Sequence, residues 1–396
     1  MTAVGASRES ADYDLVVVGA GFAGLACARR AAERGLSVLV LERQSEPGER
    51  IHTTGILVKE AWEEWAAPAS LVRRIQRVRV YDPRHRFVEL ERDSYFFMAT
   101  DTAGLLRHLV EKTRRSGAEI RFGAPWEGVA SEAADTTRDA ARGSMRGSRR
   151  LTLAGSGAAS GLTCRFLVGA DGARSKVAES FGLDGNRRLL KGVEWEYEPR
   201  DGDGDCLHCF IDPECAPGYI GWVVPGVGAT QVGLALHRDR RADLRRFSEK
   251  IDGLFGLSGR RVLEKRGGVI PIGGLLRNFY AGRVMLVGDA AGMVSPLTAG
   301  GIHQAYRFGK LAADAIADRL GGGSRDSSGG ADAGGPRPGA PHPGDVVRRA
   351  YPNHALKRLA RWGFDRLPVA RALQAGLLSW NVFRRVAETV FFHRTR

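Results

Sequence analysis

The residues of this 396-residue chain most able to do chemistry begin with Gly19-Ala20-Gly21-Phe22-Ala23-Gly24. This glycine turn follows the apolar run Leu15–Val18 and precedes an alanine-rich stretch that stops at Gly35, a helix C-terminal cap. Gly19 permits a tight turn, Gly21 lets the backbone approach a pyrophosphate, and Gly24 lets the helix pack close to a sheet. A pyrophosphate here would meet the unpaired N–H groups and the dipole of a helix N-terminus. A second apolar run, Val38–Leu41, ends at Glu42, whose carboxylate can accept hydrogen bonds from ribose hydroxyls. The unit reads as βαβ and as a dinucleotide site, and alone it does not choose between FAD and NAD.

Two later stretches make that choice. "FLVGADGARSKV" places Asp171-Gly172 after a strand, and "GRVMLVGDAAGMVSPLTAGGI" places Gly288-Asp289 after another. With these three ordered motifs the chain, from about Tyr13 to Leu320, resembles the flavoprotein superfamily of aromatic hydroxylases, halogenases and geranylgeranyl reductases. The resemblance implies an α/β fold: a Rossmann-like FAD-binding domain, an inserted β-sheet substrate domain and a C-terminal helical tail. It implies FAD, with Asp289 on the ribityl chain and the turn Gly300-Gly301-Ile302 over the isoalloxazine. The helix N-terminus at that turn would stabilise negative charge on the reduced ring. The expected cofactor set is Gly19, Gly21, Gly24, Glu42, Arg43, Val129, Asp171, Gly172, Gly288, Asp289, Gly300, Gly301 and Ile302.

Within the superfamily, hydroxylases usually carry a histidine after Gly-Asp-Ala-Ala, where this chain has Gly292. The following "SPLTAGGIHQA" is similar to the turn of the geranylgeranyl reductase branch. "YIGWVVPGVGATQVGLA" resembles that branch's aromatic–Trp–x–x–Pro signature, implying a pocket for a prenyl chain lined by Tyr219, Trp222, Pro225 and Gly233. A core strand with an ordinary tryptophan is the competing reading. Two positions depart from the branch. "PGERIHTTGIL" lacks its usual cysteine, with Thr54 or Thr53 in that place, and Asp101-Thr102 stands where an arginine is usual.

The implied reaction delivers a hydride from the reduced flavin to one carbon of an isolated alkene and a proton to the other. Such a poor electrophile must be held dry and aligned. Tyr219, Trp222 and Val224 would form the apolar wall, and the proton would come from water, Tyr219, His52 or His303, although for each histidine a structural hydrogen bond is the favoured reading. Thr54, His52 and Tyr219 are the catalytic candidates. The substrate expected is a lipophilic small molecule, and the reductant NADPH or an electron-donor protein. The alternative activity is an FAD-dependent monooxygenase or halogenase acting on a hydrophobic small molecule. A non-enzymatic, membrane-associated flavin carrier is the third reading.

Bulk properties set the frame. Apolar content of 43% and aromatic content of 8% are those of a globular protein, and no run approaches 18 apolar residues. The N-terminal stretch lacks an apolar signal core, and five cysteines, an odd number, argue against a disulfide framework; both suggest the cytoplasm. Of the formal charge of +14, a net +8 lies in residues 345–396, and no nucleic-acid-binding module accompanies it. Residues 1–80, 100–185 and 276–320 are assigned to the FAD-binding domain, and 81–99 and 186–275 to the substrate sheet. Residues 130–150 read as a loop between strands and 321–344 as a Gly/Pro/Ser linker. The basic amphipathic tail, 345–396, would cap the core, wall a tunnel, or lie on an anionic membrane surface. "CLHCFIDPEC" invites a metal reading, but in a strand Cys206 and His208 point one way and Cys209 the other, so no metal is expected.

Overall fold

A computed structural model describes residues 12–65, 67–133, 150–154, 161–200, 202, 204–321, 340–366, 384–385 and 388. The expected βαβ unit is present as strand Tyr13–Val18, helix Phe22–Glu33 and strand Val38–Leu41. Gly35, at φ +80°, ends the helix in the left-handed conformation that glycine adopts freely. The two strands lie parallel in an eight-stranded sheet, beside Thr163–Gly169 on one flank and Glu119–Arg121 on the other. Strand Val284–Leu286 continues the parallel order past Thr163–Gly169. Parallel strands covered on both faces must be apolar throughout, and Leu15, Val16, Val17, Leu39 and Val40 have no exposed surface.

Helix Ile302–Leu320 packs along Phe22–Glu33 at very short range. A Cβ at Gly309 would lie 2.5 Å from the Ala23 carbonyl oxygen. Helix Thr102–Arg115 is started by Asp101, whose Oδ1 accepts from the Gly104 N–H at 2.9 Å. The arginine usual in that neighbourhood is thus replaced by a helix cap.

The expected strands of the middle region form a seven-stranded sheet. Its order is Val262–Pro271, Leu189–Tyr197, Thr230–His237, Gly221–Pro225, Cys206–Phe210, Arg77–Tyr81 and Phe87–Glu91. Helix Leu244–Phe255 covers one face through Phe247 and Ile251. The stretch 81–99, expected to belong wholly to this sheet, is divided. The sheet begins earlier, at Arg77, while Phe97–Thr100 pairs instead with Ile56–Val58 and Val72–Ile75 in a separate three-stranded sheet. Short apolar strands look alike in either partnership, so the sequence pattern carries no sign of the change.

The loop expected over 130–150 is framed by a hairpin, Val129–Ala133 with Arg150–Leu153; residues 134–149 lie outside those described. So do 322–339, most of the expected linker. The tail contributes helices Pro343–Ala350 and Ala355–Arg366; residues 367–383 are not among those described. Among the described residues no helix is long and apolar enough to cross a membrane.

Candidate active site

One cavity of about 1570 Å³ runs from the glycine turn, between the two large sheets, to the helix Ala355–Arg366. Single small-molecule sites are usually about 300–1,000 Å³, so this volume accommodates a dinucleotide and a second ligand together. Gly19, Gly21, Glu42, Arg43, Asp171, Gly172, Asp289, Gly300, Gly301 and Ile302 all line it.

The glycines act as the motif chemistry requires. Gly19 holds φ +106°, and a Cβ there would meet the Ala170 carbonyl oxygen at 2.4 Å. A Cβ at Gly24 would lie 1.9 Å from the Gly19 oxygen, so helix and turn touch through backbone alone. Gly21 faces open space, and it caps the helix N-terminus with no side-chain partner. Glu42 accepts from Ala20 N–H at 2.7 Å and from Gln44 N–H at 3.0 Å, which fixes the carboxylate beside the turn. Gly24 and Gly288 stand just behind the lining. Val129 starts a hairpin strand away from it.

Two acids lie deep in this half. Asp171 accepts from Lys176 and Val177 N–H through Oδ2 at 2.7 and 3.1 Å, while its buried Oδ1 has no protein partner. Burial pushes its carboxyl up. Asp289 is enclosed by protein mass but keeps some surface toward the cavity, and burial pushes its carboxyl up to about 6. Asn186 joins the two motifs, donating from Nδ2 to the carbonyls of Asp289 at 2.8 Å and Ala173 at 3.1 Å.

The backbone explains Gly292. It ends the turn Gly288–Ala291 at φ +72°, and a Cβ would lie 2.3 Å from the Gly274 carbonyl oxygen and 3.0 Å from Asn186 Oδ1. No larger side chain fits that position.

The second half of the cavity is apolar, with Val80, Phe97, Leu207, Ile211, Ile220 and Trp222 on its wall. One row of the seven-stranded sheet builds its floor: Arg266, Glu194, Gly233, Trp222, Cys209 and Val80 stand opposite one another in register. Gly233 has no side chain, so the indole of Trp222 lies across it; a Cβ there would be 2.4 Å from Cζ2. In that position Trp222 Nε1 donates to Glu194 Oε2 at 2.9 Å. Gly233 therefore shapes the wall from beneath. Pro225 ends its strand opposite Thr230, away from the cavity, and Val224 packs behind the wall in the core.

Thr54, His52 and Tyr219 all line the cavity. The Thr54 loop is held by Thr100, whose N–H and hydroxyl both donate to the Gly55 carbonyl at 3.0 and 2.8 Å. Thr54 Oγ1 donates to Glu194 Oε2 at 2.6 Å, which sets Thr54 against the floor of the apolar half, while Thr53 also lines the cavity. The His52 ring bonds the Gly267 carbonyl through Nδ1 at 2.8 Å, and His303 lies 3.6 Å from Glu64. Tyr219 donates its hydroxyl to the Thr298 carbonyl at 2.5 Å, and burial pushes the phenol up. That bond ties the segment before strand Gly221–Pro225 to the turn before Gly300, so the phenolic proton is already committed.

Glu194, Arg266 and Asn186 were not anticipated. The signal for Glu194 was its place in "KGVEWEYE", a buried strand with carboxylates at alternate positions. The cysteine-rich strand holds no ligand set. Cys206 and Cys209 are buried free thiols, burial pushes Cys206 up to about 11, and His208 bonds the Tyr81 hydroxyl. Among the described residues no group of three metal-ligating side chains occurs.

A glycine cradle, an uncapped helix end at Gly301 and the Asp289 carboxyl on the cavity wall fit the pyrophosphate, ring and ribityl parts of FAD. A fold and site of this kind define an FAD-dependent oxidoreductase. Residues 12–327 match the pattern of the FAD binding domain family. A digeranylgeranylglycerophospholipid reductase of Methanothrix thermoacetophila is 30% identical over 330 residues, 78% of each chain. In fold, a geranylgeranyl bacteriochlorophyll reductase-like protein of Thermoplasma acidophilum superimposes with a TM-score of 0.75, at 20% identity, over 96% of this chain and 97% of its own. A flavin-dependent brominase does so with a TM-score of 0.66, at 15% identity, over 96% and 94%. The chain belongs to the FAD binding domain family and is a geranylgeranyl reductase-like member of it.

Proposed function

We propose that this chain saturates carbon–carbon double bonds of an isoprenoid or related lipophilic substrate. One observation carries the reading: the apolar chamber under Trp222 and the glycine-lined half form a single cavity, so a long hydrocarbon can lie against the cofactor with water excluded. Reduced FAD supplies a hydride when bound. Gly21 and the helix it caps would hold the pyrophosphate, and Asp289 the ribityl chain. The uncapped N-terminus at Gly301 would lie against the ring, where its N–H groups favour negative charge. Trp222, Ile220 and Leu207 would align the alkene, and Thr54 would stand on the reacting side. NADPH or an electron-donor protein would be the reductant.

The decisive experiment reduces the flavin without oxygen, adds a geranylgeranyl lipid, and follows flavin reoxidation with product mass. Reoxidation with hydrogen gained in pairs is expected. Reaction only after air is admitted, with oxygen or halogen in the product, would replace this reading by the monooxygenase or halogenase one.

The tail helix Ala355–Arg366 supports a peripheral membrane role. Lys357 and Arg361 line the cavity, while Leu356, Leu359 and Trp362 are 82%, 63% and 51% exposed on its other side. An outward apolar face flanked by arginines suits an anionic lipid surface. Sedimentation with anionic vesicles is expected, and a Leu356→Ser, Leu359→Ser double variant should stay in the supernatant; equal binding by both would remove the tail from this role.

A further inference from the structure

At the floor of the apolar chamber Glu194 and Arg266 line the cavity, and two further carboxylates, Glu196 and Glu264, hold the same guanidinium from outside it. Glu194 and Glu196 point from one strand, and Arg266 and Glu264 stand opposite them on the next. Arg266 Nη2 lies 2.8 Å from both Glu196 Oε1 and Glu264 Oε2, whereas 3.8 Å separates Nη1 from Glu194 Oε1. Gln231 adds a further hydrogen bond to Glu196 at 3.1 Å. A single positive charge cannot compensate three negative ones, and the two carboxylates it grips take most of it. Glu194 is left the most buried of the three, at 4% exposed, and the least compensated. Its Oε1 has no hydrogen-bond partner. A buried carboxyl so placed is favoured in its neutral form.

The neighbours agree. The groups facing Glu194 are Arg266, Glu196 and Glu264 from the sheet, Trp222 across Gly233, and Thr54 with His52 from the loop above. His52 is turned to the Gly267 carbonyl. Burial pushes the Glu194 carboxyl up and Glu196 adds to the rise, while Thr54, Trp222 and Arg266 oppose it.

We propose that Glu194 is the proton reservoir of the reaction and that Thr54 relays its proton to the substrate carbon. The proposal rests on the alkene-reductase reading above. The 2.6 Å separation of Thr54 Oγ1 and Glu194 Oε2 serves proton transfer in either direction, because a hydroxyl hydrogen rotates to suit its partners. With Glu194 neutral, its O–H donates to Thr54 Oγ1 and the threonine hydrogen turns into the cavity. The alkene π pair takes that hydrogen as a proton, forming a C–H bond as the Thr54 O–H bond breaks. The Glu194 proton moves to Thr54, and the hydride that reduced FAD would supply when bound completes the other carbon. Glu194 ends as the carboxylate and is reprotonated by water once product has left. The chain thus has an acid in place of the branch's usual cysteine, built from a loop and a strand 140 residues apart.

Two measurements test this. Infrared spectra of the flavin-loaded protein at neutral pH should show a protonated carboxylic acid band that disappears as pH rises and is missing in Glu194→Gln. No such band in the wild type overturns the reservoir, whatever the substrate proves to be. In the anaerobic reoxidation by a geranylgeranyl lipid, Glu194→Gln and Thr54→Val should keep their FAD and slow by about 100-fold or more, with Thr54→Ser recovering most of the rate. The wild-type rate should fall as pH rises through the Glu194 titration, and the Glu194→Gln rate should not follow that titration. A Glu194→Gln variant with wild-type rate and pH profile overturns the relay. A wild type that ignores the lipid sinks the reductase reading and the relay built on it, leaving the infrared band to decide the state of Glu194.

Discussion

Gly24→Ala is expected to yield a folded protein that is nearly colourless. The added methyl would lie 1.9 Å from the Gly19 carbonyl oxygen and 3.2 Å from the Ala170 side chain. Neither neighbour can yield locally. Gly19 already holds φ +106°, its N–H is bonded to the Leu41 carbonyl at 2.8 Å, and the Ala170 N–H is bonded to Val18 at 2.7 Å. The helix must therefore move outward, carrying its N-terminal N–H groups away from the pyrophosphate. Overpacking of this kind costs about 1–3 kcal/mol of stability, which a domain of this size survives. Misplacement by about 1 Å at a site that works by geometry costs about 100-fold. Flavin absorbance per mole of purified chain and calorimetric titration of the stripped protein with FAD would measure the loss. A full flavin complement in Gly24→Ala would show that the glycine turn does not hold the cofactor.

Gly233→Val should do the reverse, keeping FAD and losing the substrate reaction. A Cβ at this position meets Trp222 Cζ2 at 2.4 Å and Nε1 at 2.7 Å, so the indole must swing out of the chamber. Its bond to Glu194 Oε2 is then broken, and a buried polar group stripped of a partner costs about 1–3 kcal/mol. Gly233 is not itself on the cavity surface, so the whole effect passes through Trp222. We expect a lowered melting temperature, changed tryptophan emission, unchanged flavin content and anaerobic lipid reoxidation slowed by about 100-fold. Trp222→Phe in the same chain should restore part of the stability, because the smaller ring leaves room for the valine. Normal turnover in Gly233→Val would make Trp222 an ordinary core residue.

The cofactor half of the site was legible because its chemistry is contiguous. The glycine spacing, the strand before it and Glu42 after it all fall within one stretch, and each motif has its own local signature. Gly300-Gly301-Ile302 was readable for the same reason. The apolar half of the cavity was legible only in part. Trp222 and Gly233 were found through a signature, but the reason they belong together is a cross-strand register that brings a tryptophan over a residue eleven positions later. Glu194 and Arg266 lie 72 residues apart, and only antiparallel pairing makes them neighbours. The three-stranded sheet was hidden too, since Ile56–Val58, Val72–Ile75 and Phe97–Thr100 are short runs of three or four residues whose pattern does not name a partner.

Gly292 has a consequence for the backbone around it. A histidine does not fit there as the chain stands, because the Gly274 carbonyl oxygen lies 2.3 Å from where its Cβ would begin and the left-handed turn adds strain. The same turn is tied through the Asp289 carbonyl to Asn186, which also holds Ala173 beside the Asp171-Gly172 motif. A side chain at 292 would require the 274 loop to move and would press on Asn186, whose bonds tie the Asp289 and Ala173 backbones together. Position 292 is therefore set by the course of the main chain around it, and a change there is felt at Gly274 and Asn186 together.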